Sequence, residues 1–243
     1  MLITAYKACV LYKCNRCRDN KLHKEPLMRF KGRWNMKQIL AFGDSNTWGL
    51  VPGSKTRERY PWGIRWTSLL QEKYSDVHIA EEGLCGRTTV FEDELRPGRK
   101  GASSLEPLIE SQYPIDGAIL MLGTNDCKTY YHASSYVIGK GIERCLDILE
   151  KYVAPENILL ISPMELGEDV WKPEKDPEFG AKSVETSKQL KDVYSDIAKR
   201  RGTGFLAASD YVKASTVDDE HMDETGHRAF AEAVYSSLEG IIA

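Results

Sequence analysis

Three side chains in this sequence could together carry out nucleophilic chemistry on an acyl group. Ser45 follows Gly43-Asp44 and offers a hydroxyl, which is a weak nucleophile unless a base stands beside it. His221 is a suitable base because imidazole takes up a proton near neutral pH. Asp218, three residues before His221, could hold the other ring nitrogen and stabilise the imidazolium. Together these residue types supply what acyl transfer to a serine needs.

The same reaction needs donors for the negative charge that develops on the carbonyl oxygen. Three groups are candidates: the backbone N–H of Ser45, the backbone N–H of Gly86 and the side-chain amide of Asn125. Glycine at position 86 would let the backbone approach a substrate closely. A plainer interpretation of Asp44-Ser45 stays open at this point, because both residue types are also favoured in turns and helix caps.

The candidate residues follow predicted strands. Short apolar runs predict strands at residues 39–42, 76–82, 115–122, 157–162 and 204–208. Helical patterns lie between them, at residues 62–74, 104–112, 133–153, 181–201 and 224–242. This alternation predicts an α/β fold whose parallel sheet is covered by helices on both faces. Because the carboxyl ends of parallel strands share one edge, the candidate residues can converge there.

The motifs around these residues, in this order, resemble the SGNH (GDSL-type) hydrolase superfamily. Four longer runs are similar to its arylesterase/acyltransferase branch: Gly-Asp-Ser-Asn-Thr-Trp-Gly, Arg-Tyr-Pro-Trp-Gly-Ile-Arg-Trp, Glu-Glu-Gly-Leu-Cys-Gly-Arg-Thr-Thr and Met-Leu-Gly-Thr-Asn-Asp. The resemblance covers residues 36–243. It implies a flavodoxin-like three-layer α/β/α sandwich with a five-stranded parallel sheet. It also implies hydrolysis of small or aryl esters through an acyl-serine intermediate, without a metal or organic cofactor.

Carried over position by position, the resemblance implies a role for each candidate residue. Ser45 matches the nucleophile and contributes its N–H to the oxyanion hole. Gly86 and Asn125 match the other oxyanion donors. Asp218 and His221 match the Asp-x-x-His of the last motif.

Three positions depart from the usual motif. Asn46 stands where the GDSL name has Leu, at a position that takes no part in the chemistry. Asp219 replaces a common Gly, and Glu220 follows it. These extra carboxylates could raise the pKa of His221 by favouring its charged form. Asp219 could also be the partner of His221, although the three-residue spacing favours Asp218.

The substrate pocket is harder to predict from the residues. Trp48 and Trp171 fall in predicted loops, and we expect them to form pocket walls, together with Met164 at the start of a long loop. Arg87 could bind an anionic substrate group or form a structural ion pair. The resemblance further implies that the loops at residues 51–60 and 164–179 contribute to a homo-oligomer and restrict the site to short acyl groups. A narrow site could also let alcohols compete with water as acyl acceptors.

Other interpretations remain open. A sugar O-acetyl deacetylase would use the same catalytic set, and a non-catalytic binding module could keep the fold. Cys85 or Cys127 could replace the serine as the nucleophile, although a buried inert thiol is commoner. Helical spacing predicts Trp62 and Trp66 as core residues, and His227, inside the last helix, is predicted to be a capping or packing residue.

Composition sets further bounds. The chain has 243 residues, 42% apolar and 28% charged, which suits one sizeable α/β domain with or without an appendage. No apolar stretch approaches the ~20 residues of a membrane span, and Lys7 interrupts the first apolar run, which argues against a secretory signal. Six Cys in a chain of this size do not indicate a disulfide framework. We therefore expect a cytoplasmic protein with no membrane partner.

Residues 1–35 differ in character from the rest. They hold nine Lys or Arg against two Asp or Glu, so the remainder of the chain has a net charge of −10, which argues against a nucleic-acid surface there. Four residues have side chains that could bind zinc, Cys9, Cys14, Cys17 and His23, but they complete no standard finger pattern. We interpret this segment as a basic extension outside the fold. We expect Met36 to be the natural start, since Lys31-Gly32-Arg33 is what a purine-rich ribosome-binding sequence would encode.

Overall fold

Five short strands form the centre of the computed structural model, which describes residues 36–241. They are β1 (Lys37–Gly43), β2 (Val77–Gly83), β3 (Gly117–Met121), β4 (Ile158–Ser162) and β5 (Gly204–Ala207). Neighbouring strands all pair in parallel, in the order β2-β1-β3-β4-β5. The predicted α/β fold with a five-stranded parallel sheet is confirmed.

Helices cover both faces of this sheet. They are α1 (Ser45–Trp48), α2 (Trp66–Glu72), α3 (Gly101–Gln112), α4 (Ser135–Leu149), α5 (Ala181–Arg201) and α6 (Glu224–Leu238). Along β1, Leu40 and Phe42 join the apolar cluster beneath α3, α4 and α5, whereas Ile39 and Ala41 join the cluster beneath α2 and α6. A strand buried on both faces must be apolar at every position, which explains the uninterrupted runs in the sequence.

The strand order places a crevice at one point of the sheet edge. β1 lies between β2 and β3, so the chain leaves β1 in one direction and later returns on its other side. Such switch points are where ligands bind in open α/β sheets, beyond the carboxyl ends of the strands. Ser45 comes just after β1 and Asn125 just after β3. The fold therefore brings these two residues to the same crevice.

The first long helix differs from its prediction. It begins at Trp66 rather than at residue 62, because Gly63 adopts a left-handed turn with φ of +85°. Trp66 is fully buried, as predicted, and packs edge-on against Phe230 of α6. The prediction that Trp62 lies in the core is wrong, since 57% of it is exposed.

Some predictions concern residues that the structure does not describe. The basic extension of residues 1–35, with its candidate zinc ligands, lies outside the described range. Between residues 36 and 241, no helix is both long and apolar enough to cross a membrane.

His227 is buried where α6 meets α2, and it is a packing residue, as predicted. Its Nδ1 accepts the backbone N–H of Trp66 at 3.3 Å, so the ring caps the start of α2 from a distant part of the chain. The ring also meets the edge of Tyr60. Burial is the main reason why the pKa of His227 falls from 6.5 to about 4. The neutral ring is therefore the form that fits the fold.

We expect His227 to make the fold sensitive to acid. The unfolded chain takes up this proton near pH 6.5 and the folded chain only near pH 4. The neutral ring therefore contributes its full share to the free energy of unfolding above pH 6.5. This contribution is lost as the pH falls, by about 2.5 kcal/mol between pH 7.5 and 4.5. Urea unfolding at both pH values should show a smaller loss in His227→Gln, whose amide oxygen can still accept the Trp66 N–H. Equal losses in the two proteins would contradict this assignment.

Candidate active site

A chain of two hydrogen bonds connects the serine, the histidine and the aspartate. His221 Nε2 lies 2.9 Å from Ser45 Oγ, and His221 Nδ1 lies 2.8 Å from Asp218 Oδ2. All three side chains are buried, although they belong to segments more than 170 residues apart. Nε2 is therefore placed to accept the serine proton while Nδ1 donates to the carboxylate.

The turn that carries Ser45 follows from the residues around it. A Cβ at Gly43 would lie only 2.0 Å from Thr47 Oγ1, so the strand can enter α1 this tightly only with glycine. Asp44 caps α1 by accepting the Asn46 N–H at 3.0 Å. The motif is thus a helix cap, as the plainer interpretation held, and it also points the Ser45 hydroxyl at His221.

Asp218, not Asp219, is the partner of His221. The Oδ1 atom of Asp218 accepts the backbone N–H groups of Glu220 and His221, and its Oδ2 atom also accepts the N–H of Gly53 at 2.8 Å. Burial alone would raise the pKa of Asp218, but these bonds and the nearby imidazole hold it below its usual value. Asp219 points away, since its carboxylate binds Lys175 Nζ at 2.6 Å.

Asn46 has a structural role that sequence reasoning missed. Its side-chain Nδ2 donates to the Glu220 carbonyl at 3.2 Å, and its Oδ1 accepts the Met222 N–H at 3.0 Å. The residue after the nucleophile therefore binds the chain on both sides of His221. The sequence could have indicated this role through the residue type, because the amide of an Asn in a buried turn needs hydrogen-bond partners.

The candidate oxyanion donors lie on segments that are hydrogen-bonded together. Gly86 has φ of +82°, which only glycine adopts readily. Arg87 follows Gly86, and its backbone carbonyl accepts a hydrogen bond from the Asn125 side-chain amide at 3.1 Å. This bond joins the segment of Gly86 to the segment of Asn125. Within residues 36–241, the N–H groups of Ser45 and Gly86 donate to no other group of the protein. Both are available for a substrate oxygen, as is the second hydrogen of the Asn125 amide.

The electrostatics of the site favour a charged His221. Burial by itself lowers the pKa of this imidazole, but the negative charges of Glu220 and Asp218 outweigh burial and raise it to about 9. The Glu220 carboxylate lies 3.7 Å from Nε2. The expectation that an extra carboxylate raises the pKa of His221 therefore holds for Glu220.

We expect activity to rise with pH until His221 is deprotonated. Only the neutral ring can accept the serine proton, and with a pKa of about 9 roughly 1% is neutral at pH 7. Accordingly, kcat/KM for an uncharged ester should climb about tenfold per pH unit, then level off roughly 100-fold above its pH 7 value. Ser45→Ala serves as the blank for spontaneous hydrolysis. If kcat/KM had already reached its plateau at pH 7, the raised pKa of His221 would be contradicted.

A cleft of about 320 Å³ opens beside His221. It is lined by both polar and apolar residues, among them Leu50, Lys55, Arg57, Glu174, Val217 and Glu220. Part of this lining comes from the loop at residues 51–60, and part from the loop at residues 164–179. Both loops therefore flank the site.

The four predicted pocket residues do not line this cleft. Arg87 is buried, donates to the backbone carbonyls of Gly43 and Glu82, and lies 4.0 Å from the ring centre of Phe42. The guanidinium therefore supports the turn from the interior and cannot meet a substrate anion in the cleft. Met164 belongs to the apolar core beneath the sheet, because its side chain points inward.

The two tryptophans are placed differently. Trp48 is half-buried and stacks with the guanidinium of Arg59, 5.2 Å from its ring centre. Trp171 is exposed and donates its indole N–H to the Glu168 carbonyl at 3.0 Å. Neither tryptophan lines the cleft beside His221, and a role for either as a pocket wall stays a prediction.

The two candidate thiols have the wrong properties for a nucleophile. Cys127 is buried and its pKa is raised far above the usual value, mainly by desolvation. Burial also raises the pKa of Cys85, to about 11. A thiol that remains protonated is a poor nucleophile at neutral pH. The geometry therefore favours Ser45.

The site can be compared with known proteins. The chain matches the GDSL-like lipase/acylhydrolase family over residues 41–229. An aryl esterase of M. smegmatis is 31% identical, with a TM-score of 0.77 over 84% of this chain and 99% of that chain. Est24, a carbohydrate acetylesterase from Sinorhizobium meliloti, is 30% identical, with a TM-score of 0.77 over 84% of this chain and 99% of that chain. No significant match was found among curated protein sequences.

The fold and these matches define the class of the protein as an esterase with the SGNH hydrolase fold. The chain belongs to the GDSL-like lipase/acylhydrolase family. The resemblance inferred from the motifs is thereby confirmed.

Proposed function

We propose that this protein is a serine esterase that hydrolyses small or aryl carboxylic esters through an acyl-serine intermediate. The observation that carries this proposal is the Ser45–His221–Asp218 chain of hydrogen bonds at the edge of an open cleft. Binding alone would require no serine activated in this way, which speaks against a non-catalytic module.

The geometry suits a two-step reaction. His221 Nε2 takes the Ser45 proton as Oγ attacks the ester carbonyl, and the N–H groups of Ser45 and Gly86 with the Asn125 amide stabilise the oxyanion. The intermediate collapses, and His221 returns the proton to the leaving alkoxide. A water molecule then gives His221 its proton and attacks the acyl-serine, which releases the acid and restores Ser45. An alcohol in place of water would complete an acyl transfer.

A second candidate is a deacetylase of acetylated carbohydrates. The cleft carries several charged side chains, including Lys55, Arg57 and Glu220, which can hydrogen-bond to hydroxyl groups. The resemblance to Est24 supports this reading, and the resemblance to the M. smegmatis enzyme supports the aryl ester. A homo-oligomer and a cytoplasmic location remain proposals.

A substrate panel tests both candidates. We would compare kcat/KM for p-nitrophenyl acetate, butyrate and octanoate, and for a monoacetylated sugar, each corrected by the Ser45→Ala protein. A preference for the short acyl groups supports the proposal, and product formation from added alcohol supports acyl transfer. A much higher kcat/KM for the acetylated sugar favours the deacetylase. Absence of hydrolysis of every ester would reject the esterase assignment.

A further inference from the structure

Glu220 is a buried carboxylate beside the reacting atoms that the mechanism above does not use. Only 6% of the residue is exposed, and it lines the same cleft as His221. Its backbone is held at both ends, since its N–H donates to Asp218 Oδ1 and its carbonyl accepts the Asn46 amide. The backbone of Glu220 is therefore held in place beside His221.

The Glu220 carboxylate lacks a hydrogen-bond donor among the described residues. Its Oε1 lies 3.7 Å from His221 Nε2, too far for a hydrogen bond. The charge of Lys128 also acts on Glu220, but this lysine is already paired with Glu178 and lies 3.9 Å from Asp176. Because Glu220 lines the open cleft, a hydroxyl group of a bound ligand can supply the donor that the described residues do not.

The position of Glu220 indicates which part of the substrate supplies that donor. His221 Nε2 must come within hydrogen-bond distance of the leaving alcohol oxygen to return its proton. An acceptor 3.7 Å from Nε2 therefore stands next to the leaving group. A hydroxyl on the carbon adjacent to the ester-bearing carbon falls within its reach, whereas aryl and simple alkyl alcohols have nothing to donate there.

We propose that Glu220 accepts a hydrogen bond from a hydroxyl adjacent to the ester on the alcohol portion of the substrate, so that the enzyme selects monoesters of vicinal diols and polyols. This inference rests on the proposed esterase function and names the class of alcohol: it favours small esters of hydroxylated alcohols over aryl esters. Glu220 is then a substrate-positioning residue, and the selection arises in the step that forms the acyl-serine.

The test compares two acetates that differ in one donor. The substrates are 2-hydroxyethyl acetate and 2-methoxyethyl acetate, followed by acid release at constant pH. The wild-type protein should prefer the hydroxyl compound in kcat/KM by on the order of tenfold or more, the usual effect of a hydrogen bond to a charged acceptor. In Glu220→Met this ratio should fall to about one. Glu220→Gln, which keeps an acceptor without the charge, should lie between them.

Glu94→Met is the matched control, because it removes an exposed carboxylate that does not line the cleft and should keep the wild-type ratio. Both rates together can change as the pKa of His221 shifts, so the ratio is the decisive quantity. A wild-type ratio near one overturns the proposal without any variant. The proposal is also overturned if Glu220→Met keeps the wild-type ratio, however much the two separate rates change. Failure of the esterase function itself would appear separately, as equal rates for wild type and Ser45→Ala.

Discussion

Replacing Ser45 by alanine is expected to lower kcat/KM for p-nitrophenyl acetate by a factor on the order of 10³ or more. The substitution removes the only atom of the site that forms the covalent bond in the proposed reaction. It also removes the hydrogen bond to His221 Nε2. The remaining donors can still polarise a bound ester, so a small residual rate is expected.

Ser162→Ala is the matched control for this experiment. Ser162 is a buried serine at the carboxyl end of β4, and its Oγ has no hydrogen-bond partner among the described residues. Its removal should leave kcat/KM within a few-fold of the wild type. Far-UV circular dichroism would show that both variants are folded. Equal activity of Ser45→Ala and the wild type would mean that Ser45 is a turn residue, and alkylation of Cys85 would then test a thiol route.

The second large effect is expected at Asp218. In Asp218→Asn the amide can donate to Nδ1 of His221, which places the ring proton on Nε2, where a lone pair is needed. An Asp-to-Asn substitution in a Ser-His-Asp triad lowers kcat by a factor on the order of 10⁴. The new side chain has nearly the same shape, and its oxygen can still accept two of the backbone N–H groups that Asp218 binds. We therefore expect a folded, inactive protein.

Asp219→Asn separates this effect from a general loss of acidic charge. Asp219 has φ of +60°, a left-handed conformation that Asn also tolerates. Its carboxylate binds Lys175 and the Asp169 N–H rather than His221, so kcat should change no more than a few-fold. If Asp219→Asn were the more damaging substitution, the assignment of the His221 partner would be reversed.

Features that depend on local pattern could be predicted from the sequence. The apolar run at residues 39–42 became the buried part of β1, because a strand covered on both faces requires apolar residues there. Helix α5 runs from Ala181 to Arg201, as its pattern predicted, and Gly202 ends it with a left-handed residue. The convergence of Ser45 with His221 followed from the shared edge of parallel strands.

Features that depend on where a side chain points in a loop could not be predicted. Arg87 follows Gly86 directly, yet its guanidinium turns inward because backbone carbonyls at the end of β1 and β2 need donors. Trp62 is exposed because a left-handed glycine delays the helix. The role of Asn46 depends on contacts with residues 174 and 176 positions away, which no local pattern reports.

The distance along the chain between Ser45 and His221 has a consequence for how activity arises. The two residues are 176 positions apart, and Asn46 joins them only after the segment around His221 has docked. During synthesis the nucleophile emerges early and its base late, so a partly made chain holds an inert serine. On refolding, the recovery of esterase activity would therefore time the docking of the final segment.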